Sequence, residues 1–150
     1  MGYQLGERGI LVLQCYIPPE YMDPMGHMNV QYYSSLFDAA TWTLFSLGGI
    51  HASYILERQC GMAALEQHIR YFREIRAGTS VQIWSQVQLL GPKILRLRHH
   101  MVEAQNDALL AELDQKAVHF DLAGRKSRPF PDEVMEQINK LALDCPLLES

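Results

Sequence analysis

Residues 30–47 read VQYYSSLFDAATWTLFSL, and their patterning decides the fold. Val30, Tyr33, Phe37, Ala40, Leu44 and Leu47 recur at i, i+3, i+7, i+10, i+14 and i+17, one continuous helical face. Asp38 is the only charged residue of the stretch, and its other polar groups are uncharged Gln, Ser and Thr. A surface helix carries charges along one side, whereas a helix that is apolar or neutral all round belongs in an interior. Gly48-Gly49 supplies a stop, and Asn29 has the chemistry of an N-cap.

Working outward, residues 9–17 (GILVLQCYI) form an apolar run that Pro18-Pro19 ends, which reads as a buried strand. A polar loop, residues 20–29, joins it to the helix. Beyond the helix, residues 50–59 read as irregular. Four runs of strand character follow, over residues 61–73, 79–90, 94–103 and 109–122. In the second, Val81, Ile83, Val87 and Leu89 alternate with Gln82, Trp84, Gln86 and Gln88. Gly91-Pro92 and Asn106-Asp107 mark turns, so the last three runs read as an antiparallel meander. Residues 132–143 carry Val134, Ile138, Leu141 and Ala142 at helical spacing, a short amphipathic helix. No repeat, low-complexity tract or linker interrupts the chain, so residues 1–150 are expected to form one domain. A lone buried helix has to be covered, and one curved antiparallel sheet is the available cover. The expected class is α+β, with five strands wrapped around one long buried helix. The open edges of such a sheet call for a homodimer or a dimer of dimers.

Bulk properties exclude several functions. The chain has 150 residues, 48% hydrophobic and 20% charged, with a net charge of −4. That is a globular composition, and no basic stripe points to nucleic acid. No apolar run approaches the roughly 20 residues that cross a bilayer, and no early segment has a signal-peptide pattern. Cys15, Cys60 and Cys145 show neither metal spacing nor a disulfide framework, which fits a reducing, cytoplasmic setting.

The chemistry concentrates in Asp23-Pro24-Met25-Gly26-His27-Met28-Asn29, directly before the long helix. Asp23 is a carboxylate, Gly26 permits close backbone approach by a ligand, and the helix start at Val30 and Gln31 offers unpaired amides. A negative charge developing on a carbonyl oxygen would be stabilised there. On spacing alone, the same residues read more readily as a capping loop in which Asp23 and Asn29 satisfy backbone donors.

The run from Tyr21 through Asp23-Pro24, Gly26-His27 and Asn29 to Tyr32-Tyr33, continuing to Phe37-Asp38-Ala39-Ala40, resembles the signature of the 4-hydroxybenzoyl-CoA thioesterase-like hotdog family. Residues 66–78, from Glu66-Gln67-His68-Ile69-Arg70 to Ala77-Gly78, look like that family's second strand and following turn. The likeness spans about residues 10–125. Within the family these stretches look most like the thioesterase domains of carnitine breakdown, which act on betainyl-CoA. Those domains tend to read Asn-Gly-His-Met where this chain has Met25-Gly26-His27-Met28.

The resemblance implies a hotdog fold and hydrolysis of an acyl-coenzyme A thioester. Asp23 takes the place of the family's catalytic carboxylate, as nucleophile or as general base toward water. The amide near Val30 would polarise the carbonyl, with His27 and Asn29 beside the reacting group. No metal or cofactor is called for, because coenzyme A thiolate is a good leaving group. Gly26 and Tyr33 would border the substrate. Asp38 and Trp42, at i and i+4, would line the pocket of a cationic acyl group, although a structural hydrogen bond explains Asp38 more readily. Glu66 and His68 share a strand face that would look toward a partner subunit's cleft, or form a buried satisfied pair. Two further functions stay open. A hotdog enoyl-CoA hydratase or dehydratase would place Asn-Pro before its His at a spacing absent here. A non-catalytic acyl-CoA-binding module would not need Asp23.

Overall fold

The structure is a computed structural model that describes residues 2–147. Its elements run β1 (Leu5–Gly6), β2 (Gly9–Tyr16), a 3-10 turn (Pro19–Tyr21), α1 (Val30–Leu47), α2 (Ala52–Arg58), β3 (Cys60–Tyr71), β4 (Ser80–Leu89), β5 (Ile94–Glu103), β6 (Leu109–Asp121), β7 (Lys126–Ser127) and α3 (Asp132–Asp144). Five long strands form one antiparallel sheet in the order β2-β4-β5-β6-β3, with the two-residue β1 and β7 added beside β2 and β6. β4, β5 and β6 form the expected meander. The segment expected to be irregular contains α2, which buries only Tyr54 and therefore shows no apolar period.

The period-2 alternation of β4, β5 and β6 sends one set of side chains inward. Val81, Ile83, Val87, Leu95, Leu97, Met101, Ala111, Leu113 and Ala117 meet Tyr33, Phe37, Ala40 and Leu44 of α1 in one hydrophobic cluster. The helix is buried on that side only. Ser34, Ser35, Asp38, Ala39, Trp42, Thr43 and Ser46 face outward from the single chain. An outer face with Asp38 as its one charge thus reports something other than burial within the chain.

Where α1 crosses the sheet, Phe37 stacks on the fully buried His99 ring at 5.9 Å between centroids. Thr41 Oγ1 donates to the Phe37 carbonyl at 2.9 Å, so the 2.8 Å contact with His99 Nε2 is donated by the ring. The Ser85 hydroxyl then donates to Nδ1. Both nitrogens are satisfied in the neutral imidazole, and burial pushes its pKa down to about 3. α1 stops at Gly48-Gly49 because Gly49 takes φ +97°, a left-handed conformation that leaves the helix and favours glycine. No helix among the described residues is long and apolar enough to cross a membrane.

Candidate active site

Residues 22–28 form a tight hairpin closed by a bridge between Met22 and Met28. Asp23 N donates to the His27 carbonyl at 2.8 Å, and Gly26 N donates to the Asp23 carbonyl at 2.9 Å. Asp23 Oδ1 accepts from Met25 N at 2.8 Å and from His27 N at 3.5 Å. One oxygen of the carboxylate therefore shapes the loop, as a capping residue would. The other, Oδ2, has no partner among the described residues. Gly26 has φ +83°, and a Cβ there would meet nothing within 4 Å. Its backbone conformation, not close approach within the chain, accounts for the glycine.

The loop is docked on both sides. Asn29 N donates to the Tyr21 carbonyl at 2.8 Å, and Tyr21 stacks on Tyr32 of α1 at 4.0 Å. Met28 N donates to the Ile75 carbonyl at 2.7 Å, which ties the loop to the segment leaving β3. At the helix start, Asn29 Oδ1 caps Gln31 N at 3.0 Å, and Tyr32 N bonds the Asn29 carbonyl at 3.0 Å. The Val30 amide has no acceptor among the described residues, and it lies at the positive end of the dipole.

Asp23, His27, Val30 and Tyr33 line one open cleft of about 300 Å³, together with Tyr71, Phe72, Arg73 and Glu74. Tyr33 and Tyr71 meet edge to face at 4.9 Å, which joins the start of α1 to the end of β3. Burial raises the Tyr33 phenol pKa, with Tyr71 and Glu74 adding to the shift, so the hydroxyl stays protonated. His27 Nε2 lies 2.9 Å from Glu74 Oε2. Glu74, Tyr71 and Phe72 carried no assigned role in the sequence. The signal was there only as an aromatic pair and an acid at a strand end, and their meeting with Asp23 is a tertiary fact.

Other expected site residues lie elsewhere in the chain. Asn29 sits behind the cleft as the helix cap. Asp38 and Trp42 are on the outward face of α1, where Trp42 meets Phe45 at 5.5 Å. Glu66 and His68 point to the sheet face away from α1 and line a separate cavity of about 470 Å³ with Arg96, Asp114 and Lys116. Within one chain these four do not join Asp23. His100 likewise faces outward, 3.4 Å from Glu112.

A curved antiparallel sheet around one helix, with an acidic loop at the amino end of that helix, defines the hotdog class of thioesterases. The chain belongs to the thioesterase-like superfamily, whose family model matches residues 17–138. It is 29% identical over 126 residues to a betainyl-CoA thioesterase of Pseudomonas aeruginosa, covering 83% of this chain and 78% of that protein. It is 33% identical over 117 residues to an L-carnitine dehydrogenase/betainyl-CoA thioesterase of Ruegeria pomeroyi, covering 78% of this chain and 23% of that longer protein. Among solved structures, a hypothetical protein of Staphylococcus aureus in complex with CoA superposes with a TM-score of 0.87 at 18% identity, over 100% of this chain and 91% of that one. A 1,4-dihydroxy-2-naphthoyl-CoA thioesterase from Synechocystis gives 0.76 at 15% identity, over 86% and 95%.

Proposed function

We propose that this chain hydrolyses an acyl-coenzyme A thioester to the free acid and coenzyme A. The observation that carries the reading is that Asp23, with Oδ2 unengaged, and Val30, whose amide is unbonded among the described residues, line the same cleft. In the general-base form, water adds to the thioester carbonyl carbon and gives its proton to Asp23. The C–S electron pair then leaves on the coenzyme A thiolate. In the nucleophilic form, Asp23 attacks the carbon, the C–S bond breaks as coenzyme A thiolate leaves, and water then opens the resulting anhydride to the free acid and the Asp23 carboxylate. In either form the Val30 N–H faces the oxygen on which negative charge develops. No step calls on a metal or cofactor.

For the acyl group we favour a small cation such as the betainyl group of the named relatives. The aromatic walls from Tyr33, Tyr71 and Phe72 suit a quaternary ammonium head. A homodimer or dimer of dimers is part of the proposal, because β3 presents a 12-residue edge with one side unpaired. A reducing compartment fits the three free thiols.

The test is thiol release over a panel of acyl-CoAs that includes betainyl-CoA, 4-hydroxybenzoyl-CoA, a saturated short chain and an enoyl-CoA. Stoichiometric thiol with betainyl-CoA preferred is the expected result. Binding without thiol release would make the chain a binding module, and hydration of the enoyl substrate without thiol would make it a hydratase.

A further inference from the structure

His27 and Glu74 meet through two backbone segments that are pinned beside both residues. The Met28 amide, one residue after His27, donates to the carbonyl of Ile75, one residue after Glu74, at 2.7 Å. Ile75 itself is buried in the hydrophobic cluster. The 2.9 Å contact between His27 Nε2 and Glu74 Oε2 is therefore held by the fold and not by two wandering side chains. With 61% of the Glu74 side chain exposed, the pair adds little to stability. We propose that Glu74 is a positioning residue for the thioester chemistry: it takes the Nε2 proton of His27 as a hydrogen bond and fixes the ring.

The proposal rests on the hydrolase reading above. With Nε2–H given to Glu74, Nδ1 keeps its lone pair, and no group among the described residues engages it. Nδ1 then accepts a hydrogen bond from the water that attacks the carbonyl carbon, while the proton of that water passes to Asp23. The remaining polar groups around the pair are Arg76, whose Nη2 lies 3.9 Å from the same Glu74 oxygen, Arg73, and the phenols of Tyr33 and Tyr71. The arrangement is that of an imidazole whose tautomer a carboxylate selects, built beside Asp23.

The variants are Glu74→Ala, Glu74→Gln, His27→Ala and the double alanine variant, with Asp23→Asn assayed alongside. Glu74→Ala should lower kcat about tenfold with KM within about twofold, a loss confined to the reacting complex. Glu74→Gln should recover part of the rate, because its amide oxygen still accepts from Nε2. The double variant should be no slower than His27→Ala, since the two residues act as one unit. Ring 15N shifts of His27 in the free protein should report a single Nε2-protonated tautomer, lost in Glu74→Ala. A parent rate in Glu74→Ala, a loss carried by KM alone, losses that multiply, or an Nδ1-protonated ring would each overturn the proposal. Full turnover in Asp23→Asn would instead overturn the hydrolase mechanism, and the ring shifts would still decide Glu74.

Discussion

At the scale of single residues, the proposed mechanism gives the two oxygens of Asp23 different work. Oδ1 accepts from the Met25 and His27 amides and turns the loop, while Oδ2, without a partner among the described residues, is the atom proposed to act on water or the carbonyl. The capping-loop and catalytic readings of this residue therefore describe different atoms of one carboxylate. The Val30 amide can be tested as sharply. Val30 is the first residue of α1, where proline is well tolerated, and Asn29 has φ −63° and ψ 143°, the extended conformation a following proline requires. Val30→Pro should keep the helix and its melting temperature while lowering kcat by roughly 10²–10³, the usual cost of one lost oxyanion donor. Steady-state kinetics beside a thermal melt checks both halves, and an unchanged kcat would remove the amide from the mechanism. That Asp23, His27 and the helix start meet at one cleft was legible because they lie within one short motif. Glu74 was not, since its contact with His27 depends on how the end of β3 meets the loop.

At the scale of elements, α1 was legible over its full length because its apolar face recurs without interruption from Tyr33 to Leu44. α2 was hidden because a seven-residue helix burying a single side chain has no period to read. The meeting of α1 with the sheet carries a pH signature. His99 sits between Phe37, Thr41 and Ser85 with its pKa pushed down to about 3 by burial, and next by the neighbouring His100. The same side chain in the unfolded chain titrates near about 6.5. Below that value the unfolded state binds a proton that the folded state refuses, so stability falls as pH drops through the window toward about 3. Burial also lowers the pKa of His100 and His119, which adds to the same trend. Urea midpoints should therefore decline between about pH 6.5 and 5, above the range where carboxylates titrate. His99→Gln should flatten that slope. A midpoint independent of pH over the same range would contradict a neutral, fully bonded His99.

At the scale of the whole molecule, the single chain leaves two surfaces without cover. One is the unpaired edge of β3, and the other is the outer face of α1, on which Asp38 is the one charge. The low charge of the helix predicts burial inside one chain, and the sheet covers only half of it. Leu65 lies at the register break of β3, between Ala64 and Glu66, and is exposed at that edge. If β3 pairs with β3 of a second copy, Leu65→Lys sets like charges near the joint and should shift the assembly toward monomer. Light scattering should give at least a dimer for the parent and a lower mass for the variant. A monomeric parent would contradict the assembly.

The proposed mechanism turns on one carboxylate, and Asp23→Asn isolates it. Asparagine keeps the Oδ1 acceptor that shapes the loop and puts an uncharged NH2 donor in place of Oδ2, which removes the charge and the basicity. The variant should melt with the parent yet release thiol from its best acyl-CoA at least ~10²-fold more slowly. A folded Asp23→Asn protein that turns over near the parent rate would contradict the central claim.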